Sequence, residues 1–195
     1  MAKKTLWILI LIMLICSACS NGENDEVPPL FQAVYDNNIA KIKEIVKSNS
    51  ETINEKYLGN TVLHVSIFHS DVETIKFLVE NGADFTIKDD SGSSPFFEAA
   101  NMAYIDAIYY FLDKGANPNE IDNEGNTPIM KFTLRGGVPV DTHLEVLDRM
   151  LEAGADLTIK NNNGDTYYSI VKNLVESQDT LNEIEKRLPA SMINN

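Results

Sequence analysis

Apolar residues recur along this chain at helical spacing, in blocks set a constant interval apart. Val72, Ile75, Leu78 and Val79 make one stripe, Ile105, Ile108, Phe111 and Leu112 a second, and Leu144, Leu147, Met150 and Leu151 a third. Steps of three and four residues place each set on one side of a helix. Ile39, Ile42 and Ile45, followed by Val46, stand 33 residues ahead of Val72, Ile75 and Leu78, so an earlier copy shares the register. A last pair of stripes follows: Ile170, Val171, Leu174 and Val175, then Leu181, Ile184 and Leu188. Glycines mark the same period. Gly59, Gly92 and Gly125 are 33 apart, as are Gly82 and Gly115, whereas Gly125 to Gly164 and Gly115 to Gly154 are both 39. A fixed period with one shared six-residue insertion means a repeat array.

The period divides the chain into repeats at 30–58, 59–91, 92–124, 125–163 and 164–188, with a tail at 189–195 that reads as frayed. The first and last copies carry a polar face and act as caps. Three copies open on related quartets: Thr61-Val62-Leu63-His64, Ser94-Pro95-Phe96-Phe97 and Thr127-Pro128-Ile129-Met130. Pro95 and Pro128 suit a first helical turn, where a missing N–H costs nothing. Gly82, Gly115 and Gly154 close the second helices, where a left-handed residue favours glycine. The extra residues of the fourth copy fall at Gly136-Gly137-Val138-Pro139-Val140-Asp141 and predict an enlarged loop between its two helices. Tyr104, Tyr109 and Tyr110 add aromatic bulk to the third copy, for packing or for binding.

These quartets, with Gly82-Ala83-Asp84 and Gly154-Ala155-Asp156 in register, resemble the ankyrin repeat over about residues 29–188. The resemblance implies an all-α solenoid of helix-turn-helix units with short hairpin-like fingers between them. It implies that Thr61 and His64 hydrogen-bond within their turn. It also implies protein binding through the finger tips and the first-helix face. The matching finger residues are Asp89, Asp90 and Ser91, then Asp122, Asn123 and Glu124, then Asn161, Asn162 and Asn163. The first-helix candidates are Phe68 and His69, Asn101 and Met102, and Leu134 and Arg135. Acidic tips beside Phe68, Met102 and Leu134 describe a groove for a partner with basic and apolar features.

The N-terminus changes the expected location. Lys3 and Lys4 precede the unbroken apolar run Leu6 to Ile15, which is shorter than the roughly 20 residues of a membrane span. Cys16-Ser17-Ala18-Cys19-Ser20 follows. This end resembles a bacterial lipoprotein signal, with 1–18 removed, Cys19 lipidated and 19–29 an acidic tether. Cys16 fits less well because bulky Ile15 precedes it; plain cleavage after Ala18 is the alternative. The expectation is an exported, lipid-anchored envelope protein. Cys16 and Cys19 are the only cysteines, so the folded part depends on packing rather than disulfides.

Lys3 and Lys4 are the only charges in residues 1–18, and removing that segment takes the net charge from −13 to −15. Such a surface repels nucleic acid and anionic lipid. No catalytic constellation stands out: His64, His69 and His143 lie in different repeats without spaced ligand partners, and no phosphate loop or nucleophile elbow occurs. The chain is expected to be a non-catalytic binding module without cofactor or metal. In a sharper version it neutralises or escorts one protein, as an immunity or adaptor protein does. An enzyme or small-ligand receptor would need a closed pocket joining at least two of His69, His143, Arg135 and Tyr104. A purely structural envelope role is the other alternative.

Overall fold

Each apolar stripe is realised as one helix of a pair. The structure, a computed structural model, describes residues 26–69 and 71–193. The signal at 1–18, Cys19 and the tether up to residue 25 lie outside the described residues. The pairs are α1 (Pro29–Tyr35) with α2 (Ile39–Ser48), α3 (Val62–His69) with α4 (Val72–Glu80), and α5 (Pro95–Asn101) with α6 (Ile105–Asp113). They continue with α7 (Pro128–Arg135) and α8 (Val140–Glu152), then α9 (Tyr167–Leu174) and α10 (Gln178–Glu185), before a single turn, α11 (Ala190–Ile193). The first helices stack in the order α1, α3, α5, α7, α9, and α4, α6 and α8 stack alongside them. Burial follows the stripes: Ile42, Ile75, Leu78, Ile108, Phe111, Leu147 and Met150 are all buried in one continuous core.

Local chemistry sets the helix limits. Asn38, Asp71, Ser94, Thr166 and Ser177 each accept a backbone N–H three residues on, and Pro95 and Pro128 occupy first turns. At the other end Gly82 takes φ 101°, Gly82 N–H donates to the Val79 carbonyl and Ala83 N–H to that of Leu78. This pair of bonds closes a helix through a left-handed residue, and it recurs at Gly115 and Gly154. Asp84 completes the motif by accepting from Thr86 N–H and Oγ1 at 2.8 and 2.7 Å, and Asp156 does the same for Thr158. Asn54 and Asn119 then reach across to the Gly82–Asp84 and Gly154–Asp156 turns of the next repeat.

Four expectations need correction. The six extra residues are not mainly a loop. α8 has 13 residues against nine in α4 and α6, so most of the insertion adds helix at its N-terminal end, leaving only 136–139 between α7 and α8. Gly136 and Gly137 take positive φ there and turn the chain. Ile39 is exposed because it opens α2 on the uncovered end of the array, and Leu174 is 50% exposed at the end of α9 rather than packed. The C-terminal tail forms α11, with Met192 and Ile193 against the core. One finger, between β1 (Lys56–Tyr57) and β2 (Asn60–Thr61), is a true hairpin, its turn made by Leu58 and Gly59 at φ 50° and 79°.

Candidate partner-binding surface

The finger residues are largely occupied by the fingers themselves. The Asp89 carboxylate accepts Ser91 N–H, Ser93 N–H and the Ser91 hydroxyl within 2.9 Å. Asp122 does the same for Glu124 N–H and Asn126 N–H, and Asn161 for Asn163 N–H and Asp165 N–H. Each is an Asx turn that builds its own loop. Asp122 is only 8% exposed and also faces Lys131 Nζ at 3.3 Å, so it cannot stand on an acidic tip. The next position links one finger to the previous one. Asn123 N–H donates to the Ser91 carbonyl and Asn123 Nδ2 to that of Asp90; Asn162 repeats both bonds onto Glu124 and Asn123. A side chain on Gly92 or Gly125 would strike Asn123 or Asn162, which explains glycine at this step of the ladder. Glu124 is paired with Lys131 Nζ at 2.8 Å. Asp90 is the exposed acidic position of these fingers without an ion pair among the described residues.

His64 likewise has a structural setting. It is fully buried. The Thr61 hydroxyl lies 2.8 Å from Nδ1, and Nε2 lies 3.0 Å from the Ser93 carbonyl of the next repeat. A carbonyl only accepts, so Nε2 carries the proton; Thr61 N–H donates to Nδ1 at 3.2 Å, so that nitrogen accepts and the ring is neutral. Burial holds its pKa below the ordinary value, which suits that state.

The ends of the first helices are different. Phe68 and Leu134 occupy the same repeat position and are 50% and 47% exposed. The position is filled by Tyr35 in the first repeat, 38% exposed, and Leu174 stands at the end of α9 in the last. Tyr35 packs edge-on to His69 at 5.3 Å. Arg135 reaches back over the preceding repeat, its Nη1 3.5 Å from the Asn101 carbonyl and 3.9 Å from Met102 Sδ. The structure therefore brings Asn101, Met102 and Arg135 together, and adds Tyr35 and Leu174, which the sequence reading left out. Tyr35 could have been found by stepping back 33 residues from Phe68.

The row ends in a cleft of about 280 Å³ between α7, α8, α9 and α10, lined by Leu134, Val138, Val140, His143, Leu174 and Val175 among others. Of His69, His143, Arg135 and Tyr104, only His143 lines it, and His143 Nε2 is shared with the Tyr167 hydroxyl at 3.1 Å. Burial lowers the His143 pKa to about 4 and raises that of Tyr167. One ring nitrogen is thus engaged, and the walls around it are apolar. The tyrosines of the third repeat are half-buried: Tyr109 lies under Arg149 and Tyr110 beside Phe111 and Lys114.

Comparison with known proteins agrees with the geometry. Two family models, described as ankyrin repeats in three copies and in many copies, match residues 4–89 and 67–112. The chain is an array of ankyrin repeats, a fold that generally serves as a protein-interaction module. It is 33% identical to alpha-latroinsectotoxin-Lt1a of Latrodectus tredecimguttatus over 84 residues, 43% of this chain and 6% of that protein. It is 30% identical to a putative ankyrin repeat protein of Acanthamoeba polyphaga mimivirus over 129 residues, 66% of this chain and 16% of the other. Against human ankyrin repeat and SOCS box protein 6 the identity is 24% over 156 residues, covering 73% and 37%. The chain thus spans well under two thirds of these relatives, and none of the three comes from a bacterium.

Proposed function

We propose that this chain binds one protein partner along the row of first-helix ends, from Tyr35 through Phe68 and Met102 to Leu134 and Leu174, and that the fingers serve mainly to hold the array rigid. The observation that carries this reading is the row itself. Tyr35, Phe68 and Leu134 stand exposed at one position of the first, second and fourth repeats, the third has Asn101 there beside half-buried Met102, and Leu174 is exposed one residue past the position in the fifth; a lone monomer gains nothing from these apolar side chains. Finger residues at equivalent steps are instead consumed by Asx turns and cross-finger bonds. A rigid surface loses little conformational freedom on binding, which favours a pre-formed interface.

The location belongs to the same proposal. Lys3, Lys4, the apolar run to Ile15 and Ser17-Ala18-Cys19 support export with lipidation at Cys19. A partner in that setting would be a protein of the cell envelope, and the chain would neutralise or escort it. Labelling with a radioactive fatty acid tests the anchor: label should enter the chain and be lost in Cys19→Ser, whereas label that persists refutes it. A photo-crosslinking residue at Phe68 or Leu134 tests the surface against the same residue at Asp90. Capture of one protein from the first two sites supports the reading; capture from Asp90 alone contradicts it.

A further inference from the structure

We propose that the cleft at the fourth and fifth repeats takes an apolar side chain from a basic segment of the partner protein, with lysine or arginine of that segment resting on the acidic shoulder beside it. This rests on the protein-binding reading above and names the chemistry its far end would recognise.

Three observations narrow the occupant. Size comes first. At about 280 Å³ the cleft falls just short of the roughly 300–1,000 Å³ of ordinary small-ligand sites, and suits one or two side chains. Polar content comes next. A cofactor site needs a few convergent free polar groups. Here the Thr133 hydroxyl donates to the Ile129 carbonyl and His143 Nε2 is held by Tyr167. What remains is mainly Leu134, Val138, Val140, Leu174 and Val175, a wall for hydrocarbon, with Thr180 as a single polar side chain on the side shared with the second hollow. The cleft also has a local origin: the link at 136–139 and the added start of α8 bring Val138 and Val140 to its mouth, so this hollow depends on a feature the other repeats lack.

The third observation is charge. Past Val140 and Thr180, which line both, the cleft runs into a second hollow of about 420 Å³ bordered by Asp179, Asn182, Glu183 and Lys186. Cations near this end are already engaged. Lys186 pairs with Glu183, Arg187 with Asp148 and Glu183, Lys172 lies over the Tyr168 ring, and Arg135 turns toward Met102. Asp141, Glu176 and Asp179 have no ion pair among the described residues. Arg135 and Lys172 have no carboxylate partner and offset two of these three carboxylates, so the charge left around the apolar mouth is negative by one, with Asp179 on the shoulder itself. That draws a basic segment and repels anionic lipid or nucleic acid.

The test uses the full chain and three fluorescein-labelled peptides. One alternates leucine and lysine in amphipathic helical order, one carries glutamate for lysine, and one serine for leucine. The lysine–leucine peptide should bind at least tenfold tighter than either control. Leu134→Glu and Leu174→Glu should each weaken it at least tenfold; both residues are half exposed, so the helix content by circular dichroism should be unchanged. Asp179→Lys should weaken binding about threefold, an effect that fades in about 0.5 M salt. Equal binding of the glutamate peptide, or unchanged affinity in both leucine variants, overturns the proposal. So does self-association abolished by the same variants, which would seat a second copy in the cleft. So does peptide binding that appears only after Leu6–Ile15 is removed, which would seat that run. Peptide failure alongside protein capture at Phe68 would remove this proposal and leave the broader one standing.

Discussion

Two junctions of the array use a histidine in opposite ways, one fully buried and one half-buried. Between the second and third repeats, fully buried His64 spans from Thr61 to the Ser93 carbonyl and satisfies a polar seam. Between the fourth and fifth, His143 sits among Phe132 and Tyr167, makes one side-chain hydrogen bond through its ring, and borders a cleft. The first junction is made by motif residues that bind each other. The second is made by departures from the motif, and it leaves surface uncommitted. Residues that define a repeat are thus the least available for a partner, and surface for recognition appears where the repeat is altered.

The largest expected effect breaks the first junction. His64→Ala takes away the acceptor of the Thr61 hydroxyl and one of the two donors to the Ser93 carbonyl, empties a fully buried site, and should cost about 3 kcal/mol, read by chemical denaturation. A loss below about 1 kcal/mol would mean the seam relaxes around the gap.

A comparable effect separates the histidines by pH. Burial lowers the His143 pKa to about 4, below its unfolded value near 6.5. The unfolded chain then binds the extra proton between these values, so the stabilisation is complete above about pH 6.5 and lost as pH falls toward 4. The shift corresponds to about 3 kcal/mol at most, and His64, also lowered, acts in the same direction. His143→Gln should flatten most of the slope in denaturation midpoints across that range; an unchanged slope would assign the acid sensitivity elsewhere.

Smaller effects test the fingers and the tyrosines. Asp122→Ala should cost about 2 kcal/mol, since two backbone N–H groups lose their acceptor and Lys131 one of its two carboxylates, whereas exposed Asp90→Ala should cost under about 0.5 kcal/mol. Equal costs would undo the distinction between the two positions. Tyr110→Phe should be neutral or raise stability by up to about 1 kcal/mol, because its buried hydroxyl finds no hydrogen-bond partner among the described residues.

The helix pairs and the glycine ends of the second helices were legible because the stripes repeat at 33 residues and because proline and glycine act locally. The six extra residues were misplaced for a physical reason. Gly136-Gly137 and Pro139 mark a break, but they do not say that the residues after it join α8. The fingers were misjudged because an aspartate in a turn reads the same whether its carboxylate faces water or its own backbone, as Asp122 shows. The row was half legible: Phe68, Met102 and Leu134 followed from register, while Leu174 had been counted with the core because periodicity gives a face and not what covers it. The cleft depends on where two repeats meet, and no single stretch of sequence records that.

Hydrogen–deuterium exchange on the full chain, with and without the protein captured at Phe68 or Leu134, tests the central claim most directly. The account predicts slowed exchange at the C-terminal ends of α3, α5, α7 and α9 and across residues 136–140, with the fingers at 89–92 and 122–125 unchanged. Slowed exchange confined to those fingers would contradict it.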